Sequence, residues 1–178
     1  MSNHQTAHGF GEDTNEDSSR INIIDTDEKI FQIKGISMDT FIKYFKYFNF
    51  YFRSESGNTD SKLNEAETEL NIIFQKEFRN ILKLYDGGYG DIGKYYIDLW
   101  GIDDILNFYD DIGDEDMQDM IVFASDGCGM SYAFVRNSDE IRLVPMDSLD
   151  YISSERCSDS FEKLIMEMAS GELREFNS

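Results

Sequence analysis

Histidine, cysteine and basic residues are all scarce in this chain of 178 residues, and each scarcity removes a class of function. Both histidines, His4 and His8, sit in a polar N-terminal stretch, so no Ser–His or Cys–His pair can be held rigidly for nucleophilic catalysis. The two cysteines, Cys128 and Cys157, lie far apart and form no Cys-x-x-Cys pair, which fits a reduced, cytoplasmic protein. No stretch approaches the ~18 apolar residues of a membrane span. The opening MSNHQTAHGF has no basic region leading into an apolar run, as a secretory signal would. Only 16 Lys and Arg stand against 36 Asp and Glu, a formal net charge of −20. The first twenty residues contribute −3 of this (Glu12, Asp13, Glu16 and Asp17 against Arg20), leaving −17 for the rest. Binding to nucleic acid or anionic membrane relies on Lys and Arg displacing counterions, so neither partner suits this chain. A basic protein does suit it, because long-range attraction speeds encounter. The same charge also serves plain solubility.

What is present is enough to fold. A chain of this length suits one domain, which buries roughly 70% of its unfolded surface without help from metal or disulfide. Apolar residues make up 40% and aromatics 14%, sufficient for a core. Residues 1–20 are polar and acidic with little to bury and read as a disordered leader; 21–36 read as an N-terminal extension, and 37–178 as the domain. KIFQIK (29–34) alternates like a short strand. Phe41, Ile42, Phe45 and Phe48 recur at helical spacing behind Ser37 as a cap. NFYFRS (49–54) reads as a strand and SESGNTDS (54–61) as a turn. Leu63, Ala66, Leu70 and Ile73 make one helix face, and Phe78, Ile81, Leu82 and Tyr85 a second. That second helix stops where a glycine of Asp86-Gly87-Gly88 turns left-handed. YYIDLW (95–100) is a strand, with a short helix from Ile102 to Phe108. MIVFAS (120–125), MSYAFV (130–135) and EIRLVPM (140–146) are three more strands, the first two joined as a hairpin. Phe161, Leu164, Ile165 and Met168 form a closing helix with Asp159 as cap and Gly171 as stop. Helices first, hairpin-linked strands next and a final helix imply an α+β domain.

Three blocks in this order carry a resemblance. ETELNIIFQKEFRNILKLYDGG (67–88) places Glu67, Leu70, Phe74, Phe78, Ile81, Leu82, Gly87 and Gly88 as in the signature of the SUKH superfamily. VFASDGCGMSYAFV (122–135) is similar to its second block, a strand ending at a Gly-rich turn before a hairpin, and SFEKLIMEM (160–168) to its closing helix. Together the blocks cover about residues 38–170. That superfamily includes a fungal cell-wall regulator and many bacterial toxin-immunity proteins. The resemblance implies an α+β fold with a central, mainly antiparallel sheet flanked by helices. For most bacterial members it also implies neutralising a toxin by direct binding. Three positions depart from the pattern: Gln75 replaces a frequent proline, Asn71 a frequent glycine and Asp86 a frequent asparagine. Gln75 removes a rigid step and lets the two helices run together; Asn71 and Asp86 still suit turns.

Each chemical motif has a plainer reading beside it. GYGDIGK (88–94) satisfies Gly-x-x-x-x-Gly-Lys, but Tyr95 supplies no hydroxyl in the place magnesium needs it, and Asp91 would face the phosphate. A loop between helix and strand explains it better. Cys128 sits in a turn, yet its neighbours Ser125 and Asp126 bring no activating cation. Asp103, Asp104, Asp110, Asp111, Asp114, Glu115, Asp116 and Asp119 crowd one segment without a single Lys or Arg. No register there meets the EF-hand pattern, and nothing marks a sugar-binding cleft for paired carboxylates. The segment is either a solvated loop or an acidic patch offering carboxylates to Lys and Arg of a partner. The turn residues Ser125, Asp126, Gly127 and Gly129, like Asp86, Gly87 and Gly88, read as structural, and Trp100 as core in preference to a binding anchor. No metal or cofactor is expected. The chain thus reads as a non-enzymatic immunity-type protein that covers a toxin, such as a nuclease, with carboxylates. The alternative is a regulatory or scaffold module of the eukaryotic or viral kind.

Overall fold

A computed structural model describes residues 45, 48–112, 117 and 119–173. The leader 1–20, the extension 21–36 with its expected strand 29–34, and most of the expected helix 38–48 lie outside the described residues. In the described part, β1 (Phe50–Phe52) precedes two helices, α1 (Asp60–Glu69) and α2 (Lys76–Tyr85). A hairpin of β2 (Gly88–Ile92) and β3 (Tyr95–Leu99) leads to α3 (Ile102–Ile112). Then come β4 (Met120–Ser125), β5 (Met130–Val135), β6 (Ile141–Pro145), β7 (Glu155–Ser158) and α4 (Phe161–Ser170). The seven strands form one sheet in sequence order, every neighbouring pair antiparallel. This is the expected single α+β architecture.

The strands bury their residues in two different ways. β4 and β5 are buried on both sides along most of their length. β2 instead alternates: Gly88, Gly90 and Ile92 are buried, while Tyr89 and Asp91 are exposed. Such period-two alternation marks a strand with one packed and one open face. On the packed side, the rings of Phe78, Phe123, Phe134 and Phe161 join α2, β4, β5 and α4 at centroid distances from 4.1 to 6.5 Å. Each of these four side chains is at most 1% exposed. Burying a phenylalanine contributes about 1.5–3 kcal/mol, so this cluster clamps α2 and α4 to the sheet.

Several local expectations need correction. α1 ends at Leu70, and Asn71 takes φ 48°, so Ile73 leaves the helix and is 88% exposed. The two helices do not run together. Gln75 sits before α2 with φ −59° and ψ 140°, an extended conformation, and its side chain ties distant elements. Its Oε1 accepts from the Phe161 amide at 2.7 Å and its Nε2 donates to the Asp139 carbonyl at 2.9 Å. The left-handed residue ending α2 is Asp86 itself, with φ 53°, although Gly87 follows at φ 90°. At α4 the cap is Ser160, whose hydroxyl accepts from the Lys163 amide at 3.2 Å. Asp159 instead pairs with Lys163 at 2.5 Å and with Arg156. β7 was not expected, because ERCS is short and two of its four residues are exposed. GYGDIGK is β2 with the following turn and not a loop. A side chain at Gly90 would strike the Asn49 carbonyl at 2.1 Å, so that glycine allows β1 and β2 to approach.

Candidate functional site

The acidic segment is built on α3. Its first amide is met from outside: Asp86 Oδ1 accepts from the Ile102 N–H at 3.0 Å and from the Asn58 amide at 2.6 Å. The residue that ends α2 therefore also caps α3. At 100° per residue, Asp103, Asp104, Asp110 and Asp111 fall within a sector of about 120°. Ile102, Ile105 and Tyr109 fall on the opposite side and are buried. The carboxylates form an exposed stripe.

Structure divides that stripe in two. Asp103 pairs with Lys62 Nζ at 2.7 Å, and Asp104 with Arg53 Nη1 at 2.7 Å. Arg53 also holds Asp98 through Nη2 at 2.6 Å. Burial works against the Arg53 charge, but the hydrogen bond and charge of Asp98, with the charges of Asp104 and Asp86, leave its pKa raised. The N-terminal half is thus neutralised within the molecule, and its acids also favour the positive end of the helix dipole. Asp110 and Asp111 differ. They lie in the last turn, where no basic residue stands, and no cation among the described residues pairs with them. Negative charge at a helix C-terminus opposes the dipole and costs about 0.3–1 kcal/mol. Asp119 is exposed just before β4, and its carbonyl accepts from the Arg136 amide at 2.8 Å. Asp114, Glu115 and Asp116 lie outside the described residues.

Tyr109 anchors this end of α3. Its hydroxyl lies 2.9 Å from both the Met117 and Met120 carbonyls and accepts from Arg136 Nη2 at 3.0 Å. Arg136 reaches on to the Leu70 carbonyl at 3.0 Å. Asp110 and Asp111 are therefore displayed from a helix whose buried side is fastened to β4 and α1. Sequence patterning had no means of finding this node, because only the fold brings Arg136 and these backbone carbonyls to Tyr109.

The remaining motif residues are used internally. Glu67 accepts from the Phe74 amide at 3.0 Å and from Arg79 at 3.4 Å. Asp126 Oδ1 accepts from the Cys128 and Met130 amides at 2.7 and 2.9 Å, which shapes the Ser125–Gly129 turn. Cys128 is exposed. Cys157 is buried, and that burial, with the nearby Glu167 charge, pushes its thiol up to about 12. Trp100 is half-buried against the core, its ring 4.9 Å from Phe108. Among the described residues no group of three or more His, Cys, Asp or Glu is placed to hold a metal, and no helix is long and apolar enough to cross a membrane. A groove of about 810 Å3 runs between the α1–α2 connection and the β5–β6 turn, lined by Asn71, Ile73 and Asn137 among others.

The described residues thus form an antiparallel sheet clamped by helices, with two glycine-bearing turns and an acidic helix. Residues 57–167 match the SMI1 / KNR4 family (SUKH-1), and the chain belongs to that family. Among curated proteins none matches the chain significantly. Membership supports a toxin-immunity or related protein-interaction role in general. The folded unit begins upstream of the match, since β1 pairs with β2 and Phe45 is fully buried in the same core.

Proposed function

We propose that this chain is an immunity-type protein that binds and neutralises a toxin by covering a basic surface with its own carboxylates, and is not itself an enzyme. Family membership over residues 57–167 is the observation that carries the reading. The placement of Asp110 and Asp111 supports it, because exposed carboxylates where the helix dipole disfavours them serve a partner better than they serve the fold. The formal charge of −20 would draw in a basic partner, and a nuclease that must hold polyanions presents such a surface. A reduced cytoplasmic setting and the acids Asp114, Glu115, Asp116 and Asp119 belong to the same proposal, whereas Asp103 and Asp104 are already answered by Lys62 and Arg53.

The test is recovery of the chain with its bound partner from the native host, followed by assay of that partner free and in complex. A stoichiometric partner whose activity disappears in the complex supports neutralisation. A partner that keeps its activity points to the scaffold alternative. Turnover of a small molecule by the isolated chain, lost on one substitution in the folded part, would overturn both. D110N/D111N should slow association severalfold at low salt, and the difference should shrink as salt rises.

A further inference from the structure

The alternation of β1, β2 and β3 leaves one face of the sheet open, and its side chains are not an ordinary polar assortment. Tyr51, Tyr89 and Tyr96 are 57%, 47% and 41% exposed. Register places them in a checkerboard with carboxylates: Tyr51 opposite Tyr89, Tyr89 opposite Asp98, and Asp91 opposite Tyr96. Directly opposed side chains lie about 4.5–5.5 Å apart at Cβ, so each acid stands beside a ring. The Tyr51 and Tyr89 rings are 6.0 Å apart, and the Tyr51 hydroxyl donates to Asn49 Oδ1 at 2.9 Å. Asp91 receives only the neutral Asn49 amide at 3.3 Å and no cation among the described residues. Asp98 is already paired with Arg53, which carries the same face across to Asp104 on α3.

Rings beside carboxylates suit one side chain above others. A guanidinium can stack flat on a tyrosine while donating to an adjacent acid, whereas an ammonium is a strongly hydrated point charge that stacks poorly. The molecule uses this pairing internally: Arg142 lies 4.2 Å from the centroid of Tyr151 and hydrogen-bonds Glu140 at 2.6 Å. On the open face the ring and acid half of that arrangement is present at Tyr96 and Asp91, flanked by Tyr89. Exposed tyrosines also lose little rotamer freedom on contact, and they are enriched at the energetic centres of interfaces.

We propose that the open face of β1–β3 is a docking surface for arginine side chains of a protein partner, with Tyr89, Asp91 and Tyr96 as its centre. This extends the reading of the chain as a partner-binding protein and places the specific contact on the sheet, with Asp110 and Asp111 supplying long-range attraction. The discriminating experiment titrates the full chain with acetylated nona-arginine and nona-lysine peptides at physiological salt. Binding is followed by amide and aromatic chemical shifts and by a fluorophore on Cys128, in the turn where Gly127 approaches the Tyr96 ring. Shifts should concentrate at Tyr51, Tyr89, Asp91 and Tyr96, with nona-arginine bound about two- to fivefold more tightly than nona-lysine. Y89A/Y96A should abolish that preference; D110N/D111N should weaken both peptides alike and leave it intact. Equal affinity for the two peptides, shifts confined to α3, or concentration-dependent shifts of this face without peptide, as a second copy would cause, each overturn the proposal. Arginine selection by the face together with failure to find any neutralised partner would instead sink the immunity reading alone.

Discussion

Replacing Gln75 by proline should destabilise this protein, although the backbone already suits proline. Gln75 has φ −59°, inside the range the pyrrolidine ring imposes, and it stands just before α2. Proline there restricts the unfolded chain and so contributes about 0.4–1 kcal/mol. The side chain it removes does more. Oε1 accepts from the partly buried Phe161 amide at 2.7 Å, and Nε2 donates to the exposed Asp139 carbonyl at 2.9 Å. Such bonds contribute about 0.5–1.5 kcal/mol each, the more buried one toward the upper end, for a sum near 2 kcal/mol. Gln75→Ala should therefore lose about 2 kcal/mol and Gln75→Pro about 1 kcal/mol. In a domain of this size those losses lower Tm by about 4–8 °C and 2–4 °C respectively. Urea denaturation at neutral pH, followed by circular dichroism, measures both. A proline variant as stable as the parent, or an alanine variant within about 0.5 kcal/mol of it, would refute the assignment of Gln75 as a tie between α2, α4 and the β5–β6 turn.

Three further outcomes follow from named contacts. Phe78→Ala removes the ring that meets Phe74, Phe123, Phe134 and Phe161 and should cost about 3–5 kcal/mol in the same denaturation assay, with Phe78→Leu losing clearly less. Thiol alkylation at pH 8 should modify exposed Cys128 in the native protein and reach buried Cys157 only in denaturant, counted by intact mass; comparable native rates would contradict the burial that pushes Cys157 up to about 12. Hydrogen bonds from Lys83 and Arg79 hold the Asp60 carboxyl below its ordinary range, so its contribution is present above the unfolded value of about 3.9 and is lost as pH falls through the folded value. Asp60→Asn should accordingly flatten the acid side of the stability–pH curve below about pH 4 and leave the slope between pH 6 and 8 unchanged.

Much of the fold was legible because hydrophobic spacing reports secondary structure directly. Phe78, Ile81 and Leu82 mark α2, Leu164, Ile165 and Met168 mark α4, and the apolar runs 120–125 and 130–135 mark the strands buried on both sides. Boundaries were less legible where a side chain chose between two roles. Asp159 and Ser160 both fit a cap by residue type, and the nearby Arg156 and Lys163 drew the aspartate into ion pairs while the serine took the amide. Ile73 continued the α1 spacing, yet left-handed Asn71 had already broken the helix.

The candidate surface shows the same division. Composition and spacing alone established a negatively charged α+β chain, poor in groups for nucleophilic chemistry, with its acids densest between residues 103 and 119. They could not tell which of those acids are already answered by Lys62 and Arg53, from 41 and 51 residues upstream, and which, like Asp110 and Asp111, pair with no cation among the described residues. Nor could they show that Tyr51, Tyr89 and Tyr96 face water, because a tyrosine in a strand reads as apolar until the other side of the sheet is known to be uncovered. Charge and periodicity are properties of the chain read in order. Neutralisation and exposure depend on which distant residues the fold brings alongside.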